Sequence, residues 1–470
     1  MARILFLQTI QFEFAGVMSV SAYLKRAGHQ VELLFEGEEG RRLFGRAREF
    51  KPDLIALSTM TGDHVRCLEL ATGAKKNLDV PILLGGPHPT FFPEVIEHPA
   101  IDIICRGEGE EAAALLCERL DRSQAYDDVR NLWVKSNGGV VRNEIGPGEN
   151  NLDNYPIPDR ELYYKYPYLR QYPAKPFITA RGCPYLCTFC FNRDFNRMYH
   201  GKMKIMRRNS PGRAVEEMLR VKSRYPLKRI FINDDIFILD KEWLGQFLPL
   251  YKREVKLPFF CNVRVNLIDE EKVKMLADAG CALAMFGIES GDEELRRKVL
   301  KKNITNEQIY RAAELFHKYG IKIKTTSILG LPDETVEKAL KTIKINADIK
   351  ADFPWCSILQ PYPRTELAQM AQEKGLIGPD FSLDDLEASF FSDSVLKQPY
   401  IKELTRLQKV FYVAVKMPWT IPIFTRLVKM PLGRLFFFIF GVSNLWRFMR
   451  ETDIGWFWAL RLAIRHRKDI

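Results

Sequence analysis

Over the first 145 positions the apolar residues follow two alternating rhythms. Short apolar runs with large or β-branched side chains fall at 3–8, 30–35, 54–58, 82–84 and 101–105. Helical patterns lie between them, as at 17–27 and 65–76. Strands that alternate with helices predict a doubly wound parallel sheet covered on both faces. The rhythm returns at 176–365, with strands expected at 177–180, 229–233, 259–263, 282–287, 321–328 and 356–359. Helices are expected between them at 211–223, 241–251, 269–279, 306–319 and 334–349. Ala279-Gly280 and Tyr319-Gly320 read as helix ends. Thr305 with Gln308 three residues later reads as a capping box. Six strand–helix units predict a partial (βα)6 barrel, so the chain is α/β in class. Prolines and asparagines at 146–175 mark a connector, with an aromatic stretch from Tyr163 to Tyr172 that should pack on one of the halves. From 366 to 470 the rhythm is lost and a mainly helical region is expected.

Length and charge refine this picture. At roughly 100–200 residues per domain, 470 residues suggest about two to four domains. Net charge is +11, and residues 401–470 carry thirteen Lys and Arg against four Asp and Glu. A near-neutral body with a basic tail does not read as a nucleic-acid binder, and no RRM, KH or OB pattern is present. The first apolar run is interrupted by Gln8, Gln11 and Glu13 before any cleavage-like site, so no signal peptide is expected. Nine cysteines without a pairing pattern suggest a reducing cytoplasm.

Three of those cysteines, Cys183, Cys187 and Cys190, form a C-x3-C-x2-C run directly after the first expected barrel strand. Three thiolates can hold three irons of a cubane and leave the fourth open, whereas a closed structural site wants four ligands. A zinc loop is the alternative, but the next candidate ligand, His200, is far for a compact knuckle. Cys67, Cys105, Cys117, Cys261, Cys281 and Cys356 are scattered and read as core. Active sites of such barrels gather at the carboxyl ends of the strands. Polar residues stand at those ends: Asn233-Asp234-Asp235, then Asn262, Arg264 and Asn266, then Glu289-Ser290-Gly291, Gly330-Leu331-Pro332 and Gln360-Pro361-Tyr362-Pro363. Each alone could be a turn or a cap. In the first half the strand ends are rich in small residues: Ser58-Thr59, Gly85-Gly86-Pro87-His88 and Arg106-Gly107-Glu108-Gly109. Ligands of doubly wound sheets bind there, and glycines let them approach the backbone.

The cysteine spacing, with the aromatic Phe189 before the last cysteine, resembles the radical S-adenosylmethionine (SAM) superfamily. The first half resembles the cobalamin-binding (B12-binding, Rossmann-like) domain that precedes the barrel in one large class of these enzymes. The resemblance implies a [4Fe–4S] cluster on Cys183, Cys187 and Cys190, with SAM chelating the open iron. It places Asp234 and Asp235 at the SAM ammonium, Arg264 at the carboxylate, Glu289 with Ser290 at the ribose and Phe189 near the adenine. It places Ser58, Thr59, Gly85, Gly86, His88, Gly107 and Glu108 around the cobalamin tail. The expected domains are 1–145 for cobalamin, a linker at 146–175, the radical SAM barrel at 176–365 and the helical region at 366–470. One departure is plain. Many cobalamin domains carry D-x-H-x-x-G after the first strand, and that histidine binds cobalt from below. Here the run is Gln11-Phe12-Glu13-Phe14-Ala15-Gly16, with Glu13 at the histidine position. A carboxylate is a harder, less suitable cobalt ligand than imidazole.

The activity implied by the resemblance is methylation of an unactivated carbon, through a 5′-deoxyadenosyl radical and methylcobalamin. Ring closure, carbon coupling or oxidation on the same domains is an open alternative, and a non-catalytic cobalamin sensor is another. A flavodoxin- or ferredoxin-type electron donor is the expected partner. In the tail, residues 435–446 are uncharged between Arg434 and Arg447, too few for a span of ~20 residues. Lys and Arg beside Trp419, Trp446, Trp456 and Trp458 suit a segment lying at a membrane interface. A helical cap with snorkelling arginines is the alternative. The interfacial reading predicts a hydrophobic substrate, such as a lipid, isoprenoid or tetrapyrrole, and a cytoplasmic protein with peripheral contact at the inner membrane face through 404–470.

Overall fold

The structure is a computed structural model; it describes residues 1–452 apart from 137 and 388. The described chain divides into two units. The first takes residues 1–181 and 194–228, and the second takes 182–193 together with the chain from 229 onward.

In the first unit, β1 (Arg3–Gln8), β2 (Gln30–Phe35), β3 (Leu54–Ser58), β4 (Ile82–Gly85) and β5 (Ile103–Cys105) form a parallel sheet in the order β2-β1-β3-β4-β5. Side chains alternate sides with period two. Ile4, Phe6, Leu54, Ala56 and Leu83 enter one core with Val17, Met18 and Leu116. Leu5, Leu7, Ile55, Leu57, Ile82 and Leu84 enter the other with Leu70, Ala71 and Ala74. Both faces are covered, as a parallel sheet requires. The connector's Leu162, Tyr163, Tyr164 and Tyr166 join the first of these cores, which settles where the aromatic stretch packs. The alternating pattern did not foretell an antiparallel pair, β6 (Leu132–Ser136) and β7 (Gly139–Arg142), added at the β5 edge. Tyr163 to Arg208 also contribute β8 (Ala174–Phe177), β9 (Ala180–Arg181) and β10 (Arg207–Arg208), where a single strand at 177–180 was expected.

The second unit carries β11 (Arg229–Ile232), β12 (Phe259–Asn262), β13 (Cys281–Glu289), β14 (Lys322–Leu329) and β15 (Phe353–Ile358), successive neighbours in one parallel sheet. Helices Lys241–Glu254, Glu270–Asp278, Asn306–Lys318 and Val336–Asp348 alternate with them. Asp240, Asp269, Thr305 and Thr335 each accept at the first turn of the helix that follows, and the Thr305–Gln308 capping box forms. Helix Ile401–Lys416 buries Leu404, Leu407, Val410 and Phe411 against Leu329, Cys356 and Ile358 of the sheet. Helix Gly433–Thr452 inserts Phe436 into the same core. Of the tail's aromatic residues, Trp456 and Trp458 lie outside the described residues. Among the described residues no helix is long and apolar enough to cross a membrane.

Candidate active site

The cysteine loop belongs to the second unit and is tied down by Thr188. Thr188 is buried; its hydroxyl donates to the Val299 carbonyl (2.7 Å) and its amide to Leu300 O (3.1 Å). The Leu367 amide donates to Thr188 O (3.1 Å). Spacing arguments do not find this residue, because its partners come from distant segments. Cys187 is buried, with Cys183 and Cys190 partly so. Loss of hydration pushes the Cys183 thiol up and the Cys190 thiol to about 11; Asp235 and the Cys187 sulfur raise both further, and Cys183 also raises Cys190. Such a crowd of incipient anions calls for a cationic centre. Among the described residues no three His, Cys, Asp or Glu side chains converge closely enough to chelate a single ion. A cluster asks instead for one thiolate per iron corner, so the donor chemistry fits it.

Arg264, in the turn after β12, places Nη1 4.0 Å from Cys187 Sγ. Its guanidinium lies 3.8 Å from the centre of the Tyr185 ring, and Asn266 donates to the Tyr185 hydroxyl (3.3 Å). Arg264 Nε and Asn266 Oδ1 are both buried without a hydrogen-bond partner. A donor and an acceptor left open beside the cysteines suit a zwitterionic ligand, since unmet buried polar groups are costly.

The other expected positions divide. Asp234 is buried, and its carbonyl accepts from Asn262 (2.9 Å). Asp235 is exposed and hydrogen-bonds Asn192 at the end of the cysteine loop. Glu289 ends β13 in a left-handed conformation (φ 61°), and its buried carboxylate accepts from Lys302 (2.7 Å). Ser290 is buried, and its carbonyl accepts from the fully buried Arg296 (2.6 Å). Phe189 packs against the core of Leu295, Leu300, Leu331 and Leu359. Sequence reasoning passed over Lys302. It also passed over Glu334, whose carboxylate accepts from the Gly330 and Leu331 amides (2.6 and 3.1 Å) and is pushed up to about 8 by burial. The acid four residues past Gly330 was the available signal.

In the first unit the strand ends of β3 and β4 interlock. Thr59 N donates to Gly85 O and His88 N to Thr59 O, both at 3.1 Å. Gly86 adopts φ 95°, ψ −173°; a Cβ there would meet Ser58 Oγ and Thr59 O at 2.8 Å and Thr59 N at 2.9 Å. Gly85 has room for one. His88 stacks on His64 with ring centres 4.2 Å apart, and its Nδ1 lies 3.1 Å from the Thr61 hydroxyl. Burial, reinforced by His64, lowers its imidazole to about 3, so it is neutral at pH 7. At Gly107 (φ 75°) a Cβ would collide with the Tyr199 hydroxyl, which accepts from Glu108 N (2.8 Å). The Glu108 carboxylate is held by Arg207 (2.7 and 2.8 Å) and by Arg181 (3.1 Å). At the β4 end, the open backbone around Gly85 and the chain turn at Gly86 fit the approach of a large ligand.

Comparison with known proteins agrees with both halves. Residues 12–116 match the B12 binding domain, and residues 177–345 match the radical SAM superfamily. The chain is 31% identical over 336 residues to an uncharacterized methyltransferase of Pyrococcus horikoshii, covering 70% of this chain and 72% of that one. It is 28% identical over 379 residues to the anaerobic magnesium-protoporphyrin IX monomethyl ester cyclase of Rubrivivax gelatinosus, covering 77% of this chain and 66% of that one. Among solved structures, the radical SAM methyltransferase TsrM of Kitasatospora setae shares the fold at a TM-score of 0.68 and 18% identity, over 80% of this chain and 76% of that one. The chain belongs to the radical SAM enzymes that carry a B12-binding domain. Membership in that family implies a [4Fe–4S] cluster, SAM and cobalamin as its cofactors.

Proposed function

We propose that this protein methylates an unactivated carbon of a hydrophobic small molecule, a lipid, isoprenoid or tetrapyrrole. Bound in the chain, the cluster and SAM would supply a carbon radical able to abstract hydrogen, and cobalamin would supply the methyl group. Cys183, Cys187 and Cys190 hold the cluster. Arg264 pairs with the SAM carboxylate, a geometry that suits guanidinium. Asp234 and Asp235 receive the ammonium, Glu289 and Ser290 the ribose, and Phe189 lies towards the adenine. Ser58, Thr59, Gly85, Gly86, His88, Gly107 and Glu108 frame the cobalamin tail within a domain at 1–145, ahead of a barrel domain at 176–365. The observation that carries this reading is the open pair Arg264 Nε and Asn266 Oδ1 in the turn whose guanidinium stands 4.0 Å from Cys187 Sγ.

Reconstituted anaerobically and mixed with SAM and a strong reductant, the protein should bind iron and release 5′-deoxyadenosine. Iron-free or zinc-only protein after reconstitution would overturn the proposal. The Rubrivivax relative's name favours ring closure as a second reading. Product mass separates the two, since methylation adds one CH2 and ring closure adds no carbon. A flavodoxin- or ferredoxin-type protein is the proposed electron donor.

We also place peripheral membrane contact in residues 404–470. Helix Gly433–Thr452 exposes Leu435, Phe438, Val442 and Trp446 at helical spacing, with Phe438 70% accessible. No acid lies between Glu403 and Glu451, whereas Arg426, Lys429, Arg434 and Arg450 are exposed. Cations flanking an apolar stripe suit anionic headgroups. Flotation with anionic liposomes should carry the wild type, and Phe438→Glu with Trp446→Glu should abolish it. Equal flotation of both proteins, or none of the wild type, would remove this contact and the motive for a lipid substrate.

A further inference from the structure

We propose that Phe191, Tyr362 and Phe390 wall the substrate site beside the cysteine loop, and that Gln360 Oε1 accepts a hydrogen bond from a substrate that is a neutral hydrocarbon alcohol. This rests on the hydrophobic-substrate reading above and narrows it. Phe191 directly follows Cys190 in the cysteine loop. Gln360 and Tyr362 stand just past the carboxyl end of β15, on the rim where such barrels gather their sites. Phe390 belongs to a strap at 389–393 that returns to β15 after helix Glu366–Glu373. The Tyr362 ring lies 5.7 Å from that of Phe191 and 6.2 Å from that of Phe390, centre to centre. Three separate segments thus bring their rings into one row. None of the three is fully buried, and Phe390 is 45% exposed.

Polar groups pin the strap. Ile358 N, on β15, donates to Phe390 O (2.9 Å), and Gln360 Nε2 donates to Asp393 O (3.0 Å). The buried Lys409 ammonium donates to Phe391 O and to Ser392 O, the latter at 3.2 Å. The Phe391 ring packs against Trp355 (5.1 Å) and Phe440 (5.2 Å). An exposed ring on a strap held at four successive residues is preorganised for a ligand.

The polar chemistry names the ligand's class. Gln360 is 7% exposed, and its Oε1 is buried without a hydrogen-bond partner. Asp393 O takes the NH2 end of this amide, which fixes the open end as the oxygen. An unmet buried acceptor is costly until a donor reaches it, and the donor must be an O–H or N–H group. Arg193, two residues past Phe191, pairs with Glu366, and Lys409 is turned to the strap carbonyls. Neither cation is left for an anionic headgroup or a carboxylate arm. The rings are tilted to one another by 56° and 61°. Such a row gives C–H groups faces and edges to pack on, but no flat platform for a planar macrocycle.

The reconstituted full chain tests this by equilibrium dialysis against radiolabelled farnesol, a neutral isoprenoid alcohol, with farnesyl methyl ether and protoporphyrin IX as competitors. The wild type should bind farnesol, should bind the ether about two- to tenfold more weakly for want of the O–H donor, and should not exchange farnesol for protoporphyrin IX. Gln360→Leu should weaken farnesol to the level of the ether and leave the ether unchanged. Gln360→Met replaces it in this comparison if the leucine variant does not hold iron. Tyr362→Ala with Phe390→Ala should weaken both ligands. Equal affinity of the wild type for alcohol and ether, no binding of farnesol, a Gln360 variant that still prefers the alcohol, or displacement by protoporphyrin IX would each overturn the inference. So would loss of farnesol binding in Phe438→Glu with Trp446→Glu but not in the Tyr362 and Phe390 variant. Failure of the wild type to hold iron or to release 5′-deoxyadenosine would instead strike the radical SAM reading itself.

Discussion

Gly85 and Gly86 look alike in the sequence, and the structure predicts that replacing them with alanine has opposite effects. At Gly86 the backbone sits at φ 95°, ψ −173°. That region is essentially restricted to glycine and costs other residues about 1–3 kcal/mol. The new Cβ would also press on Ser58 Oγ and on the Thr59 carbonyl and amide, all within 2.9 Å. Thr59 cannot retreat cheaply, because its amide is bonded to Gly85 O and its carbonyl to His88 N. Overpacking of this kind costs about 1–3 kcal/mol. The two terms together give about 2–6 kcal/mol for Gly86→Ala. At Gly85 the Cβ would meet only Leu57 O at 3.8 Å and Cys105 Cβ at 4.0 Å, ordinary contacts, and φ is not positive. Gly85→Ala should be neutral or stabilising by up to about 1 kcal/mol. Native-state hydrogen exchange on peptides spanning 54–59 and 82–88 reads this directly. The lower bound of about 2 kcal/mol corresponds to roughly 30-fold faster exchange in Gly86→Ala. Equal exchange in the two alanine variants would refute the reasoning.

Further outcomes follow from the same geometry. Arg160→Met leaves Glu217 and Glu13 buried without their shared cation; the thermal midpoint should fall by an amount equivalent to about 3–5 kcal/mol, and adding Glu217→Met should recover part of it. His88 is neutral in the fold down to about 3, whereas an unfolded histidine protonates near ~6.5. Between those values the unfolded chain binds a proton that the folded one does not. Stability present above about pH 6.5 is therefore lost as pH falls towards 3, with a contribution to the slope approaching about 1.4 kcal/mol per pH unit; urea midpoints at several pH values should fall more steeply in the wild type than in His88→Phe. Alanine at Cys183, Cys187 or Cys190 should lower iron bound per chain after reconstitution, measured by colorimetric assay, whereas alanine at the core residue Cys67 should not. Thr188→Val should cost about 1–3 kcal/mol by orphaning the Val299 carbonyl, seen as faster exchange in the cysteine loop.

What the chain's own order of residues determined is the α/β class, the run of parallel strands and the C-x3-C-x2-C spacing. These are local signals. A period of two, a helix cap such as Thr305 with Gln308, and cysteines separated by three and two intervening residues are properties of neighbours along the chain. Short connections then leave parallel strands few ways to order themselves. The hairpin β6–β7 escaped this logic because it breaks the strand–helix rhythm. The grouping of 194–228 with the first unit escaped it too, because a run of sequence does not announce which core it joins. Only the tertiary structure decided which polar groups find a partner within the chain. Glu108 pairs with Arg181 and Arg207 and Glu289 with Lys302, whereas Glu13 Oε2, Arg264 Nε and Asn266 Oδ1 are buried without a hydrogen bond. The physical reason is range. A carboxylate's partner, or the clearance above a glycine Cα, is set by atoms that approach from distant parts of the chain, and those distances exist only after the chain has folded.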